Sequence, residues 1–303
     1  MLAELQAPLA LVAHDAGAAN HLLAWLNAGD LGEGAILPCL DGPALTLWQR
    51  SGQRHSLLGL DETLKEGATL LSGTGWASDL EHEARRQARE RGIPTIAVID
   101  HWTNYRERFV RYGEVVLPDQ VWVTDPHAAE LARELLPGVP VQLQPNRYLQ
   151  AQVAEVQALQ APPAPGPRVL YVLEPIRDAW GELPQPGELS ALDFFAEHLA
   201  ALDLDAATPI RLRPHPSDPP GKYDAWLARH RHRHLDVALD DSPSLAAGLA
   251  WADTVAGCQT YAMVVALAAG RRVVSTVPPW APPCVLPHPE IIRLSALTKQ
   301  VSL

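Results

Sequence analysis

Thr95-Ile96-Ala97-Val98-Ile99 is a continuous apolar, largely β-branched run with no alternation of polar residues. A strand of that kind is covered on both faces, and that happens chiefly in parallel sheets flanked by helices. Similar short runs occur at 9–13, 69–71, 121–123, 168–173, 209–213, 254–256 and 272–277. Stretches of helical character follow most of them, around 22–26, 78–91, 126–136, 192–202, 221–230 and 262–269. Strand alternating with helix through the whole chain predicts an α/β protein with parallel sheets.

The pattern occurs twice, and the two halves meet at Ala161-Pro162-Pro163-Ala164-Pro165-Gly166-Pro167, where five of seven residues are Pro or Gly. Such composition resists helix and strand and marks a boundary. The expectation is an N-terminal Rossmann-like domain over 1–158, a hinge over 159–167 and a C-terminal Rossmann-like domain over 168–303. A chain of 303 residues is long enough for both.

Charge narrows the function. The formal net charge is −11, which argues against a general nucleic-acid binder, since that would carry a basic surplus. A local basic pocket for an anionic ligand stays compatible with it. Cys39, Cys258 and Cys284 are odd in number and far apart, so they give neither a disulfide framework nor a zinc pattern and fit a reducing cytoplasm. No run reaches membrane-spanning length and no secretory leader is visible. The expectation is a soluble cytoplasmic protein, compatible with peripheral association with a membrane-attached substrate.

Polar residues gather directly after the strands, at the sheet edge where α/β proteins bind ligands. After 9–13 come His14-Asp15-Ala16-Gly17 and, a turn into the helix, Asn20. After 69–71 comes Ser72-Gly73-Thr74-Gly75, whose glycines make either an anion-binding nest or only a turn. Ser78 and Glu81 read as a capping box. After 95–99 comes Asp100-His101-Trp102-Thr103-Asn104-Tyr105, with Arg108 one turn on. Asp100 is a candidate general base at a rigid strand end and Asp15 the alternative; position alone does not separate them. His14, Asn20, His101, Asn104, Tyr105 and Arg108 are candidate substrate-binding residues. Asp125-Pro126 reads as a helix cap.

In the second half, Arg211 and Arg213 alternate with Ile210 and Leu212 before Pro214-His215-Pro216. The prolines hold Arg213 and His215 extended at a strand end. Glu174 follows the first strand of this half, and Ser242 follows a later one. Gly257-Cys258-Gln259-Thr260 then opens an apolar helix whose N-terminus favours phosphate. Arg213, His215, Pro216, Glu174, Ser242, Gly257, Gln259 and Thr260 are candidate residues for binding an anionic ligand. His230, His232 and His234 alternate with arginines and read as a basic surface rather than a metal site.

Two Rossmann-like halves, a second-half His215-Pro216 and a later helix mouth at Gln259-Thr260 resemble the GT-B glycosyltransferases. More narrowly, they are similar to bacterial sialyltransferase- and polysialyltransferase-type enzymes. The resemblance implies two Rossmann-like domains facing each other across a cleft. It also implies a CMP-linked nonulosonic acid (sialic, legionaminic or pseudaminic type) as donor, and a surface glycan or glycoprotein as acceptor. It makes the second-half candidates donor-binding, with His215 and Thr260 on the phosphate, and the first-half candidates acceptor-binding. It assigns Asp100 to the base, although Asp100 is followed by His101-Trp102 where the family has paired acids and a glycine. No metal and no further cofactor is implied beside the nucleotide-sugar co-substrate. A GT-B transferase or epimerase using a UDP- or CDP-linked donor, and a non-catalytic nucleotide-sugar binding protein, are the alternatives.

Overall fold

A computed structural model describes residues 5–159, 166–181, 184–232 and 234–298. Most of the expected hinge, 160–165, lies outside these residues. The chain divides into two compact units, Met1–Gln150 and Ala151–Leu303.

Unit 1 carries β1 (Leu9–Ala13), α1 (Ala16–Asn27), β2 (Ile36–Leu40), α2 (Gly42–Arg50), α3 (Leu60–Glu66), β3 (Thr69–Ser72), α4 (Leu80–Glu90) and β4 (Thr95–Val98). A small hairpin of β5 (Val110–Arg111) and β6 (Glu114–Val115) precedes β7 (Gln120–Val123), α5 (Pro126–Leu135) and β8 (Val141–Leu143). Six strands form one parallel sheet in the order β2-β1-β3-β4-β7-β8. Helix α6 (Arg147–Ala158) runs across the division between the units.

The expected buried strands are here: every residue of β1 and β3 is buried, because helices cover both faces of the sheet. One side packs Leu9, Leu11, Trp25, Leu71 and Trp122 together; the other packs Ala10, Val12, Leu64, Leu70 and Ala84. Trp25 and Trp122 meet edge to face with centroids 5.6 Å apart, a pairing worth about 1 kcal/mol beyond area burial. Strand β2 is not anticipated from the sequence, since Pro38 interrupts its apolar run. It sits at the sheet edge, where a missing N–H costs least.

Unit 2 carries β9 (Val169–Val172), α7 (Gly187–Glu197), β10 (Ile210–Arg213), α8 (Asp224–Arg231), β11 (Val237–Leu239), α9 (Leu245–Trp251), β12 (Thr254–Gly257), α10 (Tyr261–Ala268), β13 (Arg272–Ser275), β14 (Ile292–Arg293) and α11 (Leu294–Thr298). Its parallel sheet has the order β11-β10-β9-β12-β13-β14. That is the dinucleotide-fold order 3-2-1-4-5-6, whose topological switch lies between β9 and β12. The helix expected over 192–202 is two pieces, α7 and a 3₁₀ turn at Leu199–Leu202.

Caps follow the sequence in several places. Asp125 accepts from Ala128 N–H with Pro126 in the first turn, Ser244 accepts from Ala247 N–H and Thr260 accepts from Ala262 N–H. The capping box does not form. Ser78 accepts from Leu80 N–H, while Glu81 points into the core and is wholly buried. His230 is also interior rather than a surface group, stacked on Trp226 at 3.7 Å. Among the described residues no helix is long and apolar enough to cross a membrane.

Candidate functional site

Each unit gathers its chemistry at the carboxyl edge of its own sheet. In unit 1, β1 delivers His14 and Asp15, β3 delivers Gly73 to Gly75, and β4 delivers Asp100 and His101. A cavity of about 230 Å³ is lined here by Asp15, Gly75, Trp76, Asp100, Asn104 and Arg108, with His101 and Thr103 beside them. Residues from three strands thus converge on the place where the strand order reverses, between β1 and β3.

The two carboxylates of this cavity are held differently. Asp100 accepts from Arg108 Nη1 at 3.0 Å, and Arg108 also donates to Thr74 Oγ1 and to the Thr103 carbonyl. The indole of Trp76 lies under the same guanidinium at 5.2 Å. Asp15 instead pairs with His14 Nδ1 at 2.8 Å. An ionised carboxylate only accepts, so this pairing places the ring proton on Nδ1 and leaves Nε2 as the basic nitrogen. Burial lowers the His101 pKa, keeping that ring neutral.

The glycines make room for these groups rather than only turning the chain. A Cβ on Gly17 would stand 1.5 Å from Asp100 Oδ2, and one on Gly75 would stand 2.0 Å from Asp15 Oδ2. A Cβ on Gly73 would stand 2.7 Å from Glu81 Oε1. Glu81 Oε1 accepts the His14 N–H at 2.9 Å and fixes the start of the His14-Asp15 turn. Burial raises the Glu81 pKa, and its Oε2 has no hydrogen-bond partner among the described residues. Sequence reasoning missed this role. The signal was present in the spacing of Glu81, Ala84, Arg85 and Ala88, one helix stripe with two small residues, all of it buried.

Not every candidate reaches the cavity. Tyr105 is a core residue, 1% exposed, and its hydroxyl donates to the Ala128 carbonyl. Asn20 lies on α1 away from the cavity lining. Asn104 is exposed at a left-handed φ of 60°, which asparagine tolerates well.

In unit 2, Glu174 leaves β9, His215 leaves β10 and Gln259-Thr260 leave β12. These strands are neighbours, and β9 and β12 flank the switch point. Gln259 N–H donates to Glu174 Oε2 at 3.1 Å, joining the two strand ends. Burial pushes the Glu174 carboxyl up to about 7, Glu188 adds to the rise and the Gln259 N–H opposes it. Glu174 is therefore partly protonated near neutrality and can donate as well as accept.

His215 is set by its own loop. Its N–H donates to Asp218 Oδ2 at 3.0 Å, and Ser217 N–H donates to its Nδ1 at 3.2 Å. A backbone N–H only donates, so Nδ1 accepts and the neutral ring carries its proton on Nε2. Asp218 also takes the Tyr223 hydroxyl at 2.9 Å and Lys222 Nζ at 2.6 Å. Lys222 pairs in addition with the buried Glu188. This network under the His-Pro turn has no obvious mark in the sequence, because Glu188 comes from α7 while Asp218, Lys222 and Tyr223 come from the loop before α8.

Several donor-side candidates have other partners. Arg213 pairs with Asp240, whose side chain is fully buried, and Ser242 Oγ donates to the same carboxylate at 2.7 Å. Gln259 Oε1 accepts the Val285 N–H, and Thr260 is the cap of α10. Gly257 is required by packing: a Cβ there would meet the Val172 carbonyl oxygen at 2.7 Å. Pro216 is exposed beside His215. The group at this edge is therefore poor in free cations and rich in neutral donors.

No protein-family model matches the sequence, and neither does any curated protein. Solved structures with a similar fold include a UDP-GlcNAc 2-epimerase from Neisseria meningitidis bound to UDP-GlcNAc, at TM-score 0.53 and 12% identity, covering 88% of this chain and 81% of that one. S. aureus MnaA with UDP matches at TM-score 0.53 and 10% identity, covering 88% and 78%. The Methanocaldococcus jannaschii UDP-GlcNAc 2-epimerase with UDP-GlcNAc and UDP matches at TM-score 0.53 and 10% identity, covering 88% and 83%. The two six-stranded parallel sheets of this chain thus have the GT-B type of fold, with two Rossmann-like domains.

Proposed function

We propose that the protein is a nucleotide-sugar enzyme of GT-B type, with a UDP-linked sugar bound at the sheet edge of unit 2. One observation carries this reading: Glu174, His215 and the Gln259-Thr260 turn leave three neighbouring strands around the β9/β12 switch point. Phosphate is served there by the His215 Nε2–H and the helix mouth at Thr260, the kind of preorganised donor that stabilises a leaving diphosphate. Glu174 suits a sugar or ribose hydroxyl. The proteins of similar fold bound to UDP or UDP-GlcNAc support a UDP-linked substrate over other nucleotides.

Unit 1 carries its own candidate groups for chemistry on a sugar. Asp15, which lines the unit 1 cavity and is held by His14, is the base that takes a proton from a carbon or a hydroxyl. Asp100, neutralised by Arg108, holds a hydroxyl in place. Proton removal from carbon followed by return would make an epimerase; removal from an acceptor hydroxyl would make a transferase.

A second reading, a transferase using a CMP-linked nonulosonic acid with a glycan or glycoprotein acceptor, is favoured by the order of His215-Pro216 and the later Thr260. Calorimetric titration with UDP, CDP, CMP and GDP, repeated on His215→Ala, tests both. UDP binding weakened about tenfold or more in the variant is expected. Preference for CMP would move the assignment to the second reading, and binding of no nucleotide would sink both.

A further inference from the structure

A second cavity, of about 460 Å³, lies on α7 and the loops beside it. Its apolar walls are Trp180, Phe194 and Trp280, and its polar groups are Gln185, Asp193 and Glu197. Trp280 is 55% exposed, and its ring meets Phe194 edge to face at 5.6 Å. The position of that half-exposed indole is strongly constrained. It sits in Pro278-Pro279-Trp280-Ala281-Pro282-Pro283, where four prolines remove backbone freedom. Gly181, at φ 77°, lets its Cα approach the ring so closely that a Cβ would stand 2.8 Å from Trp280 Cδ1. A large apolar ring held rigid yet left in water is preorganised for a partner.

The polar groups indicate which partner. Asp193 Oδ1 is compensated by Arg229 at 2.7 Å and by Trp226 Nε1–H at 2.8 Å, and its Oδ2 accepts from Gln185 at 3.3 Å. Gln185 also donates to Ser190. Glu197 is exposed and has no ion-pair partner among the described residues. The lining offers no uncompensated cation, which disfavours phosphate and sialic-type carboxylates. Aromatic rings beside a carboxylate also attract an ammonium ion, the rival occupant that choline tests. A neutral pyranose matches the lining: one face of the ring is C–H and stacks on indole, and the rim is hydroxyls that bond carboxylate, amide and hydroxyl groups.

We propose that this cavity, which shares no lining residue with the Glu174, His215 and Thr260 group, is a binding site for a neutral saccharide, independent of the function proposed above. The test is calorimetry and saturation-transfer NMR on the full chain with maltotriose and chitotriose, beside sialyllactose and choline. One of the two neutral oligosaccharides is expected to bind. Trp280→Ala should weaken it about tenfold or more, Trp280→Phe should weaken it less, and UDP affinity should be unchanged in both. Failure of both neutral sugars to bind, an affinity indifferent to Trp280→Ala, or preference for sialyllactose or choline would overturn the proposal. The parallel UDP titration keeps its failure distinct from failure of the nucleotide reading.

Discussion

The Asp100 carboxylate rests against the Cα of Gly17, in space that the side chain of any other residue would occupy: a Cβ there would lie 1.5 Å from Oδ2. The glycine after β1 and the aspartate after β4 are thus one unit, although 83 positions separate them in the sequence. Gly17→Ala must displace Asp100 and loosen its 3.0 Å bond to Arg108. Overpacking of this kind costs about 1–3 kcal/mol. Turnover on a UDP-sugar should fall about a hundredfold or more, while UDP affinity measured by calorimetry stays within about twofold. Equal loss of both would show that the unit 1 cavity does not act on the sugar.

Glu174 links stability to pH. Its carboxyl is raised to about 7 from 4.5, so the folded state binds more protons than the unfolded state across that window. Stability then falls as pH rises from about 4.5 to 7, by up to about 3 kcal/mol, and is flat above. Glu174→Gln keeps an acceptor for Gln259 N–H and removes the titration. The variant should match the parent near pH 4 and exceed it at pH 8 in urea unfolding. A parent whose stability has the same pH slope as the variant would refute this.

Arg213 is expected to act on stability more than on ligand. Its partner Asp240 is fully buried, and removing Arg213 leaves that carboxylate uncompensated, at a cost of about 3–5 kcal/mol. Arg213→Ala should lower the unfolding midpoint markedly and leave UDP affinity within a few-fold at temperatures where the variant is folded. A large drop in affinity without loss of stability would return Arg213 to the donor contacts.

Asp218 positions His215 through the 3.0 Å bond from the His215 N–H. Asp218→Ala should weaken UDP binding about tenfold, although the carboxylate itself faces the loop and Lys222. The double variant with His215→Ala should bind no worse than His215→Ala alone, because both act through one ring. Additive losses in that cycle would assign Asp218 a contact of its own.

The mixture of success and error in reading the sequence has physical causes. Strands such as β1, β4 and β9 are legible because burial on both faces leaves an uninterrupted apolar run, and a local rule suffices. The His215-Pro216 turn and the Asp125-Pro126 cap are legible for a similar reason, since proline acts on its immediate neighbours. Tyr105 and Glu81 mislead because both signals are local while both side chains are claimed at a distance. The Tyr105 hydroxyl goes to Ala128 and the Glu81 carboxylate to His14.

Alternating apolar runs and helical stretches, broken once by a proline-rich segment, determine from sequence alone that this is a twofold α/β protein with its polar residues at strand ends. Propensity, periodicity and the stiffness of proline act over a few residues, and they are enough for that. Only the tertiary structure decides which polar residues face a ligand. Arg213 is drawn to Asp240, Glu174 to the Gln259 N–H and Glu81 to the His14 N–H because strand order brings distant segments within hydrogen-bond reach, and buried polar groups then take the partners that compensate them best.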